Sequence, residues 1–95
     1  MNWVNQVVLD KQAKEDLDTV PNYILKKFRG WVRSVEMLGI KEIRKIKSYH
    51  DEPLKGDRLG QRSIKLNHAY RAIYIERRDN EVEIINVIEV NKHDY

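Results

Sequence analysis

The sequence contains no cysteine, which excludes a disulfide framework and any metal site built on thiolates. Long apolar runs are also absent, because none approaches the roughly 18 residues that a membrane-spanning helix needs. The first five residues lack the basic and then apolar layout of a secretory signal peptide. We therefore expect a cytoplasmic protein with no membrane partner, whose core is held together by packing alone.

Several motifs that carry chemistry are missing as well. His50, His68 and His93 form no H-x-x-x-H or H-E-x-x-H pattern, and no acidic cluster has ligand spacing, so we predict no metal site. The absence of a Walker loop and of G-x-G-x-x-G argues against nucleoside triphosphates and dinucleotides. No nucleophile-elbow glycines flank a serine, which disfavours a hydrolase triad. We expect no small-molecule cofactor.

The length and charge distribution indicate one domain with a basic middle. A chain of 95 residues, 41% of them hydrophobic, suffices for a single compact core, so we predict one domain over residues 1–95. The net charge is only +3, yet residues 41–78 hold eleven Lys/Arg against five Asp/Glu. This asymmetry favours an anionic partner, with nucleic acid first, although a solvated face explains many charge runs equally well.

Hydrophobic patterning predicts a strand and two helices in the N-terminal half. Residues 3–9 are short and β-branched, which is typical of a strand. Apolar residues recur at spacings of three and four over residues 12–20, and a longer 3.6-residue period over 24–38 ends at Gly39. Residues 40–46 repeat isoleucine at intervals of three, which suggests a short helical turn or an ordered loop.

The C-terminal half reads as three strands. Residues 63–66 alternate apolar and polar side chains, residues 67–69 form a turn, and residues 70–77 return antiparallel. After a second turn, residues 81–90 are rich in Val and Ile, which is typical of a central strand. The predicted order is β-α-α-β-β-β, an α+β fold in which two N-terminal helices pack on a twisted, mainly antiparallel four-stranded sheet.

Cations concentrate in the segment from residue 54 to 74. Lys55, Arg58 and Arg62 lie around two glycines, which permit the backbone to approach a phosphate closely. Lys65 and Arg71 follow on the strands of the hairpin. Arg71 falls in register with two isoleucines, and an arginine on an apolar face needs a partner, which is either a carboxylate such as that of Glu89 or a substrate.

The C-terminal residues offer groups that can exchange protons. Lys92, His93 and Tyr95 follow the last predicted strand. If this tail folds back beside Arg71, one surface gains cations for a phosphate and titratable groups for proton transfer. RNA cleavage through the 2′-hydroxyl requires both.

Three blocks occur in order at matching distances: L-K-G-D-R at residues 54–58, G-Q-R-S-I-K-L-N at 60–67, and Y-R-A-I-Y at 70–74. This pattern resembles toxins of the RelE/ParE superfamily, with HigB-like members closest. The resemblance implies a RelE-like fold and the toxin of a bacterial type II toxin–antitoxin system. Such a toxin cleaves mRNA at the ribosomal A site, is silenced by a cognate antitoxin, and uses no metal or cofactor.

Carried over by position, Lys55, Arg62 and Arg71 resemble the cations that bind phosphate and stabilise the transition state. His93 falls where HigB-like toxins have a C-terminal histidine, which implies the acid or base, with Tyr95 or Lys92 assisting. We predict further RNA contacts from residues that surround the hairpin and the tail: Arg58, Lys65, Lys92, His50 and Lys47. Ribosome dependence is expected, because a site without a strong acid–base pair relies on the ribosome to orient the mRNA.

Two other functions fit the same sequence. A ParE-like inhibitor of DNA gyrase shares the scaffold and needs no proton-transfer residues. A non-catalytic RNA- or ribosome-binding module would use the basic face through phosphate contacts alone. The antitoxin is expected to shield the basic face, with an acidic segment as one means of doing so.

Overall fold

The computed structural model of the protein describes residues 4–92. One mixed sheet has the strand order β1-β5-β4-β3-β2, with bounds β1 Val4–Leu9, β2 Glu52–Pro53, β3 Arg62–Lys65, β4 Tyr70–Asp79 and β5 Val82–Lys92. The helices are α1 Lys11–Leu17, α2 Asn22–Leu38 and α3 Ile40–Ile43, and two 3₁₀ turns span Lys47–Tyr49 and Gly56–Arg58. In this part of the chain, no helix is both long and apolar enough to cross a membrane.

The α+β class and the two N-terminal helices are confirmed, while the sheet has five strands where four were predicted. The additional strand, β2, is only two residues long, which is too short to produce an alternating pattern. It pairs with β3 at the edge of the sheet, where Pro53 is tolerated because no further strand needs its missing N–H. A third helix, α3, forms where the sequence left a turn or a loop open.

The long helix α2 forms as its period predicts. Ile24, Phe28, Trp31 and Val35 lie on one face and are buried, with Trp31 fully inaccessible to solvent. The ring of Trp31 lies 5.6 Å from that of Tyr74 on β4, so the helix packs directly on the sheet. The aromatic residues of this helix that are buried therefore belong to the core, as predicted.

The hairpin of β3 and β4 also forms as predicted. Lys65 pairs with Arg71 at its closed end, and Arg62 pairs with Tyr74 at its open end. The Oδ1 atom of Asn67 accepts hydrogen bonds from the backbone N–H groups of Ala69 and Tyr70, each at 2.7 Å. These two bonds fix the turn.

The sheet presents two chemically different faces, because side chains alternate along each strand. The face that carries Ile64, Ala72 and Tyr74 belongs to the hydrophobic core that includes the helices. The opposite face carries Ser63, Lys65 and Arg71, and it is the face on which a polar site can form.

Candidate nucleic-acid interface

A cleft of about 340 Å³ opens beside the closed end of the hairpin. It is lined almost entirely by cationic, imidazole and small polar side chains: Lys47, Ser48, His50, Lys65, Asn67, His68 and Arg71. We call these seven residues the cationic cleft. Four of the predicted site residues, Lys47, His50, Lys65 and Arg71, meet there although they come from two distant stretches of the chain.

Arg71 is the most constrained cation of the cleft. Its side chain is 18% exposed, and its Nη1 atom lies 3.3 Å from Glu52 Oε1 and 3.2 Å from Ser63 Oγ. The sequence predicted a carboxylate or a substrate beside Arg71 and named Glu89 as an example. The carboxylate found there is Glu52, and Glu89 pairs with Arg58 instead. An arginine fork fixed through one nitrogen keeps its other N–H groups for a second, planar anion such as phosphate.

Glu52 connects the arginine to an imidazole. Its Oε2 atom lies 3.2 Å from Nε2 of His50, while its Oε1 atom accepts the bond from Arg71. The side chain of Glu52 is 42% exposed, so solvent or a substrate hydroxyl can reach it. Sequence reasoning missed this residue. Its signal was a pair of acids, Asp51 and Glu52, just before Pro53 in a stretch that otherwise carries cations.

A second cluster lies on the core side of the sheet and includes Arg62. Asp51, with a side chain only 1% exposed, accepts 2.7 and 2.5 Å hydrogen bonds from Arg62 Nε and the Tyr74 hydroxyl. Arg44 Nη2 donates to the same hydroxyl at 3.3 Å. We call Asp51, Arg44, Arg62 and Tyr74 the Asp51 network. Burial raises the pKa of Tyr74 well above its usual value, and the hydrogen bond to Asp51 adds to this shift.

The Asp51 network bounds the segment that supplies three of the seven residues of the cationic cleft. Arg44 precedes the 3₁₀ turn that carries Lys47, and Asp51 lies directly between His50 and Glu52. A buried carboxylate with two short hydrogen bonds fixes the backbone on both sides of it. The structure thus places Arg62 outside the cleft lining and gives it a partner that holds the cleft in shape.

The remaining predicted site residues lie around the cleft. Arg58 reaches Glu89 at 2.5 Å and Gln61 at 2.7 Å, while Lys55 is exposed and does not line the cleft. Lys92 pairs with Tyr70 at the end of β5, one residue from the pair that Asn91 makes with Arg71. His93 and Tyr95 lie outside the described residues.

Lys55, predicted as one of the phosphate-binding cations, and Lys65, predicted as a further RNA contact, give a matched pair of variants. Lys65→Ala should weaken RNA binding about tenfold, because it removes a charged contact from the cleft, whereas Lys55→Ala should change it by less than about threefold. Fluorescence anisotropy of a labelled single-stranded RNA measures both. A larger loss for Lys55→Ala than for Lys65→Ala would contradict the assignment of the cleft.

A larger depression of about 540 Å³ lies between β1 and the end of α2. In contrast to the cationic cleft, its charged side chains are mainly acidic. Its lining includes Glu36, Glu42 and Glu83 against a single cation, Lys41. Carboxylates repel phosphate, so this depression does not suit a nucleic-acid backbone. The cationic cleft is therefore the better candidate in spite of its smaller volume.

No protein-family model and no curated protein matches the sequence. Solved structures do match. A YoeB/ParE toxin from Agrobacterium tumefaciens superposes with a TM-score of 0.73 at 20% identity, covering 94% of this chain and 99% of that one. A chain of the YoeB-YefM complex from Staphylococcus aureus gives 0.68 at 22% identity, with 94% and 97% covered.

A chain of the DinJ-YafQ toxin–antitoxin complex from E. coli gives a TM-score of 0.67 at 14% identity, covering 95% of this chain and 93% of that one. The predicted RelE-like fold is therefore confirmed over nearly the whole chain. The nearer relation to HigB-like members stays a prediction.

Proposed function

We propose that this chain, which has the fold of RelE/ParE superfamily toxins, is the toxin of a type II toxin–antitoxin system and cleaves mRNA. The observation that carries the proposal is that Glu52 contacts both Arg71 and His50, two residues of a cleft that holds further cations. It combines charge for a phosphate with a carboxylate and an imidazole that can exchange protons. A surface that only binds RNA needs the charge alone.

The groups of the cleft match the steps of cleavage through the 2′-hydroxyl. Glu52 accepts the proton as the 2′-oxygen bonds to phosphorus, and its neighbour His50 stabilises or relays that proton. Arg71 and Lys65 face the extra negative charge of the pentacovalent phosphorane. The bond from phosphorus to the 5′-oxygen then breaks, and an acid protonates that oxygen, which leaves a 2′,3′-cyclic phosphate and a 5′-hydroxyl.

His93 is the proposed acid, with Tyr95 or Lys92 assisting. The ladder between β4 and β5 brings Lys92 opposite Tyr70, beside Arg71, and His93 is the next residue of the chain. Proton donation to a leaving oxygen contributes about 10²- to 10⁴-fold to a reaction of this type. In-line displacement requires this acid to act on the opposite side of the phosphate from Glu52.

The proposed reaction takes place on the ribosome. The cleft is small, and among its seven lining residues the only flat rings that could stack on a base are the imidazoles of His50 and His68. It can hold a phosphate but has little with which to orient the flanking nucleotides. The ribosomal A site, which presents a codon in a fixed conformation, would supply that orientation.

The tail variants separate this function from inhibition of gyrase. His93→Gln and Tyr95→Phe should relieve growth arrest on induction and reduce RNA cleavage by at least about 10²-fold, because proton transfer is lost. The matched readout is supercoiling by purified gyrase in the presence of the wild-type protein or of either variant. Inhibition of gyrase that persists in both tail variants, together with unchanged growth arrest, would contradict the nuclease and favour the ParE-like alternative.

The proposed partner that silences the toxin is a cognate antitoxin that covers the cationic cleft. The excess of cations and imidazoles in the cleft, with Glu52 as the carboxylate beside them, complements an acidic segment. A toxin–antitoxin complex should therefore protect Arg71 and Lys65 from solvent. A complex that leaves both side chains open would show that silencing occurs by another route.

A further inference from the structure

The outer face of α2 carries a second set of cations, away from the cationic cleft. Lys26, Arg29 and Arg33 are exposed at spacings of three and four residues, so they form one stripe along the helix. Among residues 4–92, no hydrogen bond or ion pair joins the side chain of any of the three to another residue. We call these three residues the α2 basic face.

The α2 basic face differs from an ordinary solvated helix surface. Solvated faces usually mix both signs of charge, so that pairs three or four residues apart attract. Between residues 19 and 35 this chain has no Asp or Glu at all. Glu36, the next acid, accepts a hydrogen bond from the backbone N–H of Val7 instead of pairing along the helix. Like charges at these spacings destabilise the isolated helix, which favours a role outside folding.

Helix α2 also contacts the segment that supplies part of the cationic cleft, through Lys27, which lies outside the α2 basic face. The Nζ atom of Lys27 lies 5.1 Å from the centre of the Tyr49 ring. Tyr49 belongs to the 3₁₀ turn that also carries Lys47 and Ser48, both of which line the cleft. The helix that carries the α2 basic face is therefore in contact, at Lys27, with the turn that lines the cleft. Tyr23, whose side chain is 62% exposed, adds a flat surface one turn before Lys26.

We propose that the α2 basic face binds a second stretch of RNA backbone, outside the strand that is cut. The stripe from Lys26 to Arg33 spans about 10 Å at the rise of an α-helix, a length over which a nucleic acid presents several phosphates. The inference rests on the proposed function in taking RNA as the polyanion, since the same polyanion can occupy the cleft. Folded RNA with a double-stranded stem is the class of ligand that this surface fits.

Salt dependence of binding tests the proposal. The triple variant Lys26→Gln, Arg29→Gln, Arg33→Gln is compared with Lys11→Gln, Lys14→Gln, Arg77→Gln, which removes the same charge from exposed positions elsewhere. Affinity for a fluorescein-labelled RNA stem-loop is measured by anisotropy from about 50 to 200 mM KCl. The α2 variant should flatten the slope of log K against log salt by about 2 to 3 units, whereas the control variant should leave it within about 0.5.

The α2 variant should fold at least as well as the wild type, because it removes like-charge repulsion, and thermal unfolding checks this. Equal slopes for the two triple variants would overturn the proposal. The proposal would also be overturned if the α2 variant kept the wild-type slope for RNA but lost affinity for a polyglutamate peptide. The α2 basic face would then fit an acidic protein segment.

Cleavage of translated mRNA is scored separately. If the slopes of the two triple variants differ but the protein cuts no mRNA, the proposed RNA interface on α2 stands and the proposed function is wrong. If the protein cuts mRNA but the slopes are equal, only the proposed RNA interface on α2 is wrong.

Discussion

Replacement of Arg71 by alanine should lower the rate of mRNA cleavage by at least about 10²-fold, because one well-placed donor to a charged transition state is worth that much. The guanidinium is held through Nη1 by Glu52 and Ser63, so its remaining N–H groups are oriented before the substrate arrives. Arg71→Lys should recover only part of the rate, since a lysine supplies a point charge without the planar fork. Single-turnover cleavage with saturating protein measures the effect on chemistry.

Arg77→Ala is the matched control for Arg71→Ala. Arg77 lies on the same strand and is exposed, but it pairs with Ile84 at the far end of β4 from the cleft. This control should retain cleavage within about threefold, because surface substitutions away from special contacts change little. Equal loss in the two variants, or full activity in Arg71→Ala, would remove Arg71 from the proposed site.

Replacement of Asp51 by alanine should lower the free energy of unfolding by about 3 to 5 kcal/mol, because it leaves buried donors without their carboxylate. Arg62 and the Tyr74 hydroxyl both donate to Asp51, and Arg44 donates to that hydroxyl. Urea denaturation measures the loss. Asp57→Ala is the matched control, since Asp57 is exposed in the second 3₁₀ turn and should change stability by less than about 0.5 kcal/mol.

The same substitution should also reduce cleavage at temperatures where the variant is still folded. Asp51 lies between His50 and Glu52, so loss of its hydrogen bonds frees the backbone that positions both side chains. Asp51→Asn keeps an acceptor and should fall between wild type and Asp51→Ala in both stability and rate. An Asp51→Ala protein with wild-type stability would show that the Asp51 network does not hold this segment.

Local patterns sufficed to predict the elements that carry the site. The 3.6-residue period of α2 predicted its buried face, including Trp31, and the alternation around Lys65 predicted the hairpin that brings Lys65 opposite Arg71. The position of Arg71 among isoleucines correctly indicated that it needs a carboxylate or a substrate. In each case the cause acts within a few residues, which is why the sequence alone could reveal it.

Long-range pairings were not predictable in the same way. Glu52 joins the cleft because β2 pairs with β3, and a two-residue strand leaves no periodic signal. Arg62 appeared as one more cation of a basic loop, yet its partner Asp51 is buried on the core side of the sheet. The sequence suggested Glu89 as one possible partner of Arg71, whereas the carboxylate of Glu89 pairs with Arg58. Which acid meets which base depends on the register of strands distant in sequence.

Primer extension on an mRNA translated in a purified system tests the nuclease most directly. Wild-type protein should produce new 5′ ends within codons only when ribosomes are translating, and Glu52→Gln should suppress them because the carboxylate that takes the 2′-hydroxyl proton is gone. Lys55→Ala, outside the cleft, should leave the pattern in place. Intact mRNA with wild-type protein under active translation would contradict the proposed function.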